Sequence, residues 1–119
     1  MAMRPITMIQ LALACAAYGC AGTLAHAADA QVAEIKVTLE NNRFTPEQIN
    51  VKAKTAAVLV IQNKDASVEE FDSASLRIEK IIPAGKTVRI KLPALPAGTY
   101  EFVGEYHEST AKGRVVATE

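Results

Sequence analysis

Ile35, Val37 and Leu39 alternate with Lys36, Thr38 and Glu40, and the same period returns at Val88, Ile90 and Leu92 against Thr87, Arg89 and Lys91. Successive side chains of an extended chain point to opposite faces, so each run predicts a strand with one buried and one wetted side. Phe44 to Val51 predicts a weaker strand. Pro46 interrupts it and has no amide proton to give a ladder, which suits an edge position. Ala56 to Ile61 is apolar without a break, as expected of a central strand covered on both faces. Tyr100 and Phe102 share one face of a late strand, and Arg114 to Ala117 closes the chain. Core packing accounts for every apolar position in these runs.

Turn chemistry separates the runs. Asn41-Asn42, Asn63-Lys64-Asp65, Pro83-Ala84-Gly85 and Pro96-Ala97-Gly98 supply residues that bend a chain readily. No convincing helical window interrupts them. About seven to eight short strands, with turns roughly every ten residues, predict an all-β Greek-key β-sandwich.

The N-terminus follows another logic. Met1 to Arg4 is a short basic leader, Ile6 to Ala17 is mostly apolar, and Ala25-His26-Ala27 is a small-residue cleavage signal. The apolar run is shorter than the roughly 20 residues that a membrane span needs. These features predict a signal peptide at 1–27, cleaved on export to a bacterial periplasm, and a single domain at 28–119. A lipoprotein is the rival expectation, because Cys15 and Cys20 lie in this stretch, but neither has leucine three residues before it. No later run is long enough to embed the protein in a membrane.

Cleavage changes the chemistry available. Both cysteines and His26 leave with the leader, so the remainder has no thiolate or disulfide, and His107 becomes its one histidine. The 13 basic residues less Arg4 stand against 13 acidic ones, a net of −1, which argues against an electrostatic nucleic-acid binder. Ser67, Ser73, Ser75 and Ser109 lack the setting of a hydrolytic nucleophile, and no glycine-rich phosphate loop is present.

Two acidic clusters remain. In Glu69-Glu70-Phe71-Asp72, an extended chain would put Glu70 and Asp72 on one face and Glu69 with Phe71 on the other. Glu105, His107 and Glu108 form the second cluster, where an extended chain would let Glu105 and His107 converge. Carboxylates with one imidazole suit Fe(II), Fe(III), Mn(II), Zn(II) or Cu(II). His107 and Glu69 are the first candidates for metal ligands, with Glu70 and Glu105 next. Asp72, Glu79 and Glu108 are outer or solvated groups.

The order of these motifs resembles the cupredoxin family. The resemblance runs over about residues 34 to 118, through Asn63-Lys64-Asp65, Glu69-Glu70-Phe71, Glu79-Lys80-Ile81-Ile82, Gly85-Lys86, Gly98-Thr99-Tyr100, Gly104-Glu105-Tyr106-His107 and Thr110-Ala111-Lys112-Gly113. It implies a cupredoxin-like sandwich with a metal-binding end. Glu69 or Glu70 stands where the family's first ligand histidine would fall, Gly104 where its cysteine would, and Thr110 and Ala111 near its methionine. Only the His107 position is kept, so the resemblance does not imply a blue-copper site.

The pattern is most similar to small periplasmic cupredoxin-like proteins that accompany ferrous-iron permeases, and to the cupredoxin domain of Efe-type uptake lipoproteins. It implies copper, iron or both as the bound ion, and an inner-membrane iron permease or a periplasmic metal-binding protein as the partner. Ferrous oxidation, holding or hand-off of iron is the leading expectation. A periplasmic copper carrier and a metal-free interaction module are the alternatives.

Overall fold

Residues 32–119, which the computed structural model describes, form nine strands and one 3-10 turn; the leader predicted at 1–27 lies outside them. The strands are β1 (Ala33–Glu40), β2 (Arg43–Thr45), β3 (Gln48–Lys52), β4 (Ala57–Asn63), β5 (Glu69–Ser73), β6 (Ile78–Ile82), β7 (Thr87–Leu92), β8 (Gly98–Gly104) and β9 (Lys112–Thr118). They make a four-stranded sheet, β2-β1-β4-β7, and a five-stranded sheet, β3-β9-β8-β5-β6. Each sheet mixes parallel and antiparallel pairs: β1 runs parallel to β4 and β3 parallel to β9. The all-β sandwich expected from the sequence is what forms.

Pro46 has a larger role than weakening a strand. It lies between β2 and β3, which belong to different sheets and are edge strands in both. The chain changes layers there, so one expected strand becomes two. β4 is interior to its sheet, as its apolar run implies, and Ala57, Leu59 and Ile61 face the core.

The inner faces meet around three aromatic rings. Phe44, Phe71 and Phe102 come from β2, β5 and β8, with centroids 4.7–6.2 Å apart in edge-on and stacked contacts. Gly113 lies directly across from Phe102 on β9, where an added Cβ would approach the ring to 2.3 Å. A side chain at 113 would therefore displace one member of the aromatic cluster.

The Asn63-Lys64-Asp65 turn is a brace. Asn63 is buried; its amide donates to the carbonyls of Ser67 and Ile82, and its oxygen accepts the Asp65 N–H. The Asp65 carboxylate then accepts the N–H groups of Asn41 (2.7 Å) and Asn42 (2.9 Å). Those two residues form the β1–β2 hairpin turn at φ +53° and +55°, a conformation asparagine tolerates well. The brace thus ties the hairpin to the loop that delivers β5, and so fixes where Glu69 begins.

Candidate metal centre

Phe71 sits in the aromatic cluster, and the two-residue period of β5 then turns Glu69 and Ser73 inward and Glu70 and Asp72 outward. Glu69 is 2 % exposed. A carboxylate at that depth needs partners, and it has three. Its Oε1 accepts the N–H groups of Glu70 (3.0 Å) and Tyr106 (2.9 Å), and its Oε2 lies 2.5 Å from His107 Nδ1.

His107 arrives from the opposite strand. β8 ends at Gly104 and runs into a 3-10 turn, η1 (Glu105–His107). The loop closes behind it: the His107 carbonyl accepts from the N–H groups of Thr110 and Ala111, and the Gly104 N–H donates to the Ala111 carbonyl. The turn also corrects one expectation. A 3-10 turn advances about 120° per residue, so residues two apart leave its axis on different sides. Glu105 and His107 therefore do not converge as they would on an extended chain.

Gly104 is small for lack of room. Its backbone, φ −85° and ψ 106°, is open to any residue. A Cβ there would lie 2.6 Å from Glu69 Cδ, 2.9 Å from Glu69 Oε2 and 2.7 Å from the Ala111 Cβ. The buried carboxylate and the Ala111 methyl occupy the space that a side chain at 104 would need. Sequence reasoning noted the glycine only as a missing cysteine; the close approach depends on tertiary packing.

Glu70 and Glu105 form a separate group on the outer face. Asp72 and Glu79 lie directly across the β5–β6 ladder from each other, in the neighbouring row. The Glu105 carboxyl is raised above its usual range, first by the Glu70 charge, then by partial desolvation and by hydrogen bonding with Glu70, with Asp72 and Glu79 adding smaller repulsions. The pull of Glu70 on the hydroxyl proton raises the Tyr106 phenol as well. A carboxyl that holds its proton more tightly folded than unfolded stabilises the fold while protonated. That contribution is lost as pH rises through its raised folded value. Glu105→Gln should therefore raise the melting temperature at neutral pH and leave it unchanged well below the carboxylate range. The gap should narrow in high salt, as befits exposed charges. Thermal melts across pH check this, and an equal gain at both ends would overturn it.

The four predicted ligands thus form two pairs, Glu69 with His107 inside and Glu70 with Glu105 outside. Among the described residues, no three His, Cys, Asp or Glu side chains converge as a metal cluster.

A cupredoxin-like domain model matches residues 8–117 of the chain. The chain belongs to the cupredoxin-like family. An uncharacterised protein of Rickettsia prowazekii is 34% identical over 88 residues, covering 74% of this chain and 70% of that one. Among solved structures, the fold is similar to auracyanin A, a blue copper protein of Chloroflexus aurantiacus. The TM-score is 0.63 at 15% identity, over 74% of this chain and 100% of that one. A copper binding protein in its apo form gives 0.62 at 21% identity, over 71% and 86% of the two chains. A purple cupredoxin of Nitrosopumilus maritimus gives 0.55 at 13%, over 70% and 98%. At such identities these structures establish the fold alone.

A resident copper held by sulfur does not fit the cupredoxin-like site found here. Gly104 offers no thiolate, Ala111 no thioether, and the Glu69 carboxylate lies in the space a side chain at 104 would need. No helix among the described residues is long and apolar enough to cross a membrane.

Proposed function

We propose that this is a periplasmic metal-binding protein of an iron uptake route, which takes up a divalent ion at the Glu69–His107 pair. It holds that ion for an inner-membrane permease or a second metal-binding protein. The observation that carries the proposal is the contact itself. The one histidine of the predicted mature chain and a buried carboxylate meet at the end of the sandwich, on the loop that the family resemblance marks for ligands. The ion is cargo. An oxygen- and nitrogen-donor pair suits borderline and hard ions, whereas Cu(I) prefers the sulfur ligands this site lacks. The outer carboxylates Glu70, Asp72, Glu79 and Glu105 add a negative field that favours cations near the loop. The iron assignment draws on the motif order through Glu69-Glu70-Phe71 and Gly104-Glu105-Tyr106-His107.

Anaerobic titration of the exported protein with Fe(II), Cu(II) and Zn(II) tests this. His107→Ala should abolish site-specific binding, and Glu69→Gln should weaken it by about 10- to 100-fold. Wild-type affinities no tighter than those of His107→Ala would sink the proposal. Oxygen-dependent loss of Fe(II) on the loaded protein would add ferrous oxidation to holding.

A further inference from the structure

Among the described residues four large hydrophobic side chains stand exposed: Val32, ahead of β1, and Val68, Ile81 and Tyr106. A single exposed apolar side chain is ordinary, but the last three gather at the metal end of the sandwich. Ile81, on β6, lies directly across the ladder from Glu70, so the two share the outer face. Val68 stands one step before β5, where the two-residue period puts it on the face of Glu70 as well. The Tyr106 phenol and the Glu105 carboxyl both lie beside Glu70. β6 is an edge strand, so no strand of its sheet covers Ile81 from the far side.

The charge around these side chains is negative. Glu70 and Glu105 lie among them, and Asp72 and Glu79 form the next row of the same face. Lys80 has the opposite parity on β6, Arg77 sits in the turn beyond Asp72 and Glu79, and Lys112 is two strands away on β9. The sign decides the occupant. A second copy seated face to face would bring carboxylates against carboxylates, and an anionic lipid surface or a nucleic acid would be repelled. A cationic polypeptide fits. An apolar centre with a charged rim is the anatomy of a protein interface, and tyrosine is common among its anchors.

We propose that Val68, Ile81 and Tyr106, rimmed by Glu70 and Glu105, form a docking surface for a polypeptide that presents lysine or arginine around an apolar contact. Tyr106 adjoins His107, whose side chain is 31% exposed, so a partner seated on the phenol ring lies beside the Glu69–His107 pair. The surface thereby places the receiving protein of the hand-off, an assignment that rests on the metal-binding function proposed above. The carboxylates orient the encounter and the apolar centre holds it.

The test uses 15N-labelled, metal-free exported protein and two short synthetic peptides of equal length and charge, one alternating lysine with leucine and one alternating lysine with serine. Amide shifts on adding the lysine–leucine peptide should be confined to the neighbourhoods of Val68, Ile81 and Tyr106. The lysine–serine peptide should bind about tenfold more weakly, and high salt should weaken both. Ile81→Ser, a change at an exposed position, should cost the lysine–leucine peptide about fivefold in affinity and leave Zn(II) binding unchanged. Shifts centred elsewhere, equal affinities for the two peptides, binding indifferent to salt, or no binding at all would each overturn the proposal. The spectra need no metal, so such a result leaves the metal-binding function standing. Failure of the metal titration would instead remove the hand-off role and leave the docking surface.

Discussion

Glu69→Ala is expected to destabilise the domain by about 3 kcal/mol, because two backbone N–H groups and the His107 ring lose an acceptor that is almost wholly buried. For a domain of this size that is a fall of about 12–24 °C in melting temperature. The loss has two parts. The Tyr106 and Glu70 N–H groups lose their acceptor at the top of β8 and β5, and the His107 ring loses the group that holds it against the sandwich. Glu69→Gln keeps an acceptor for both amides, so it should cost about 1 kcal/mol. Denaturant unfolding of the three proteins measures the series. A Glu69→Ala midpoint indistinguishable from wild type would show that the carboxylate does not hold this loop.

Gly104→Ala is the second large effect, about 2 kcal/mol of overpacking. Its methyl would meet Glu69 Cδ at 2.6 Å and the Ala111 Cβ at 2.7 Å; the Ala111 methyl has no rotamer, and Glu69 could swing away only by giving up its hydrogen bonds to Glu70, Tyr106 and His107. Two of the three close contacts are to Glu69. Truncating Glu69 should therefore relieve much of the clash. The double variant Glu69→Ala, Gly104→Ala should be more stable than the sum of the single costs implies, by about 1 kcal/mol. Strict additivity would mean that the carboxylate does not occupy the space at Gly104.

Much of this molecule is legible in its sequence where alternation is clean. β1, β4 and β7 carry their cores at every second residue, and Pro83-Ala84-Gly85 is a turn in the fold, whereas Pro96-Ala97-Gly98 bends straight into β8. β5 is harder to read, because its inward face is Glu69, Phe71 and Ser73, with one apolar residue among three. Phe71 alone sets the parity, and from it Glu69, not Glu70, follows as the inward carboxylate. β6 gives no clean period: Ile78, Ile81 and Ile82 point to both sides.

The pairing of Glu105 with Glu70 escaped the sequence because it depends on a 3-10 turn. Nothing in Glu105-Tyr106-His107 distinguishes that turn from an extended loop. The role of Gly104 escaped for another reason: it depends on a side chain 35 positions earlier in the chain.

The five-stranded sheet has one more consequence. β3 forms early in the chain, yet its ladder partner is β9, the last strand, which also separates it from β8. Until residues 112–118 have been synthesised, that layer lacks an interior member and β3 has no neighbour in it. Pairing across such separations is intrinsically slow. The nascent polypeptide therefore stays open until its final strand emerges from the ribosome, a state in which it can still be threaded through a narrow pore. Closure of that layer waits on residues 112–118.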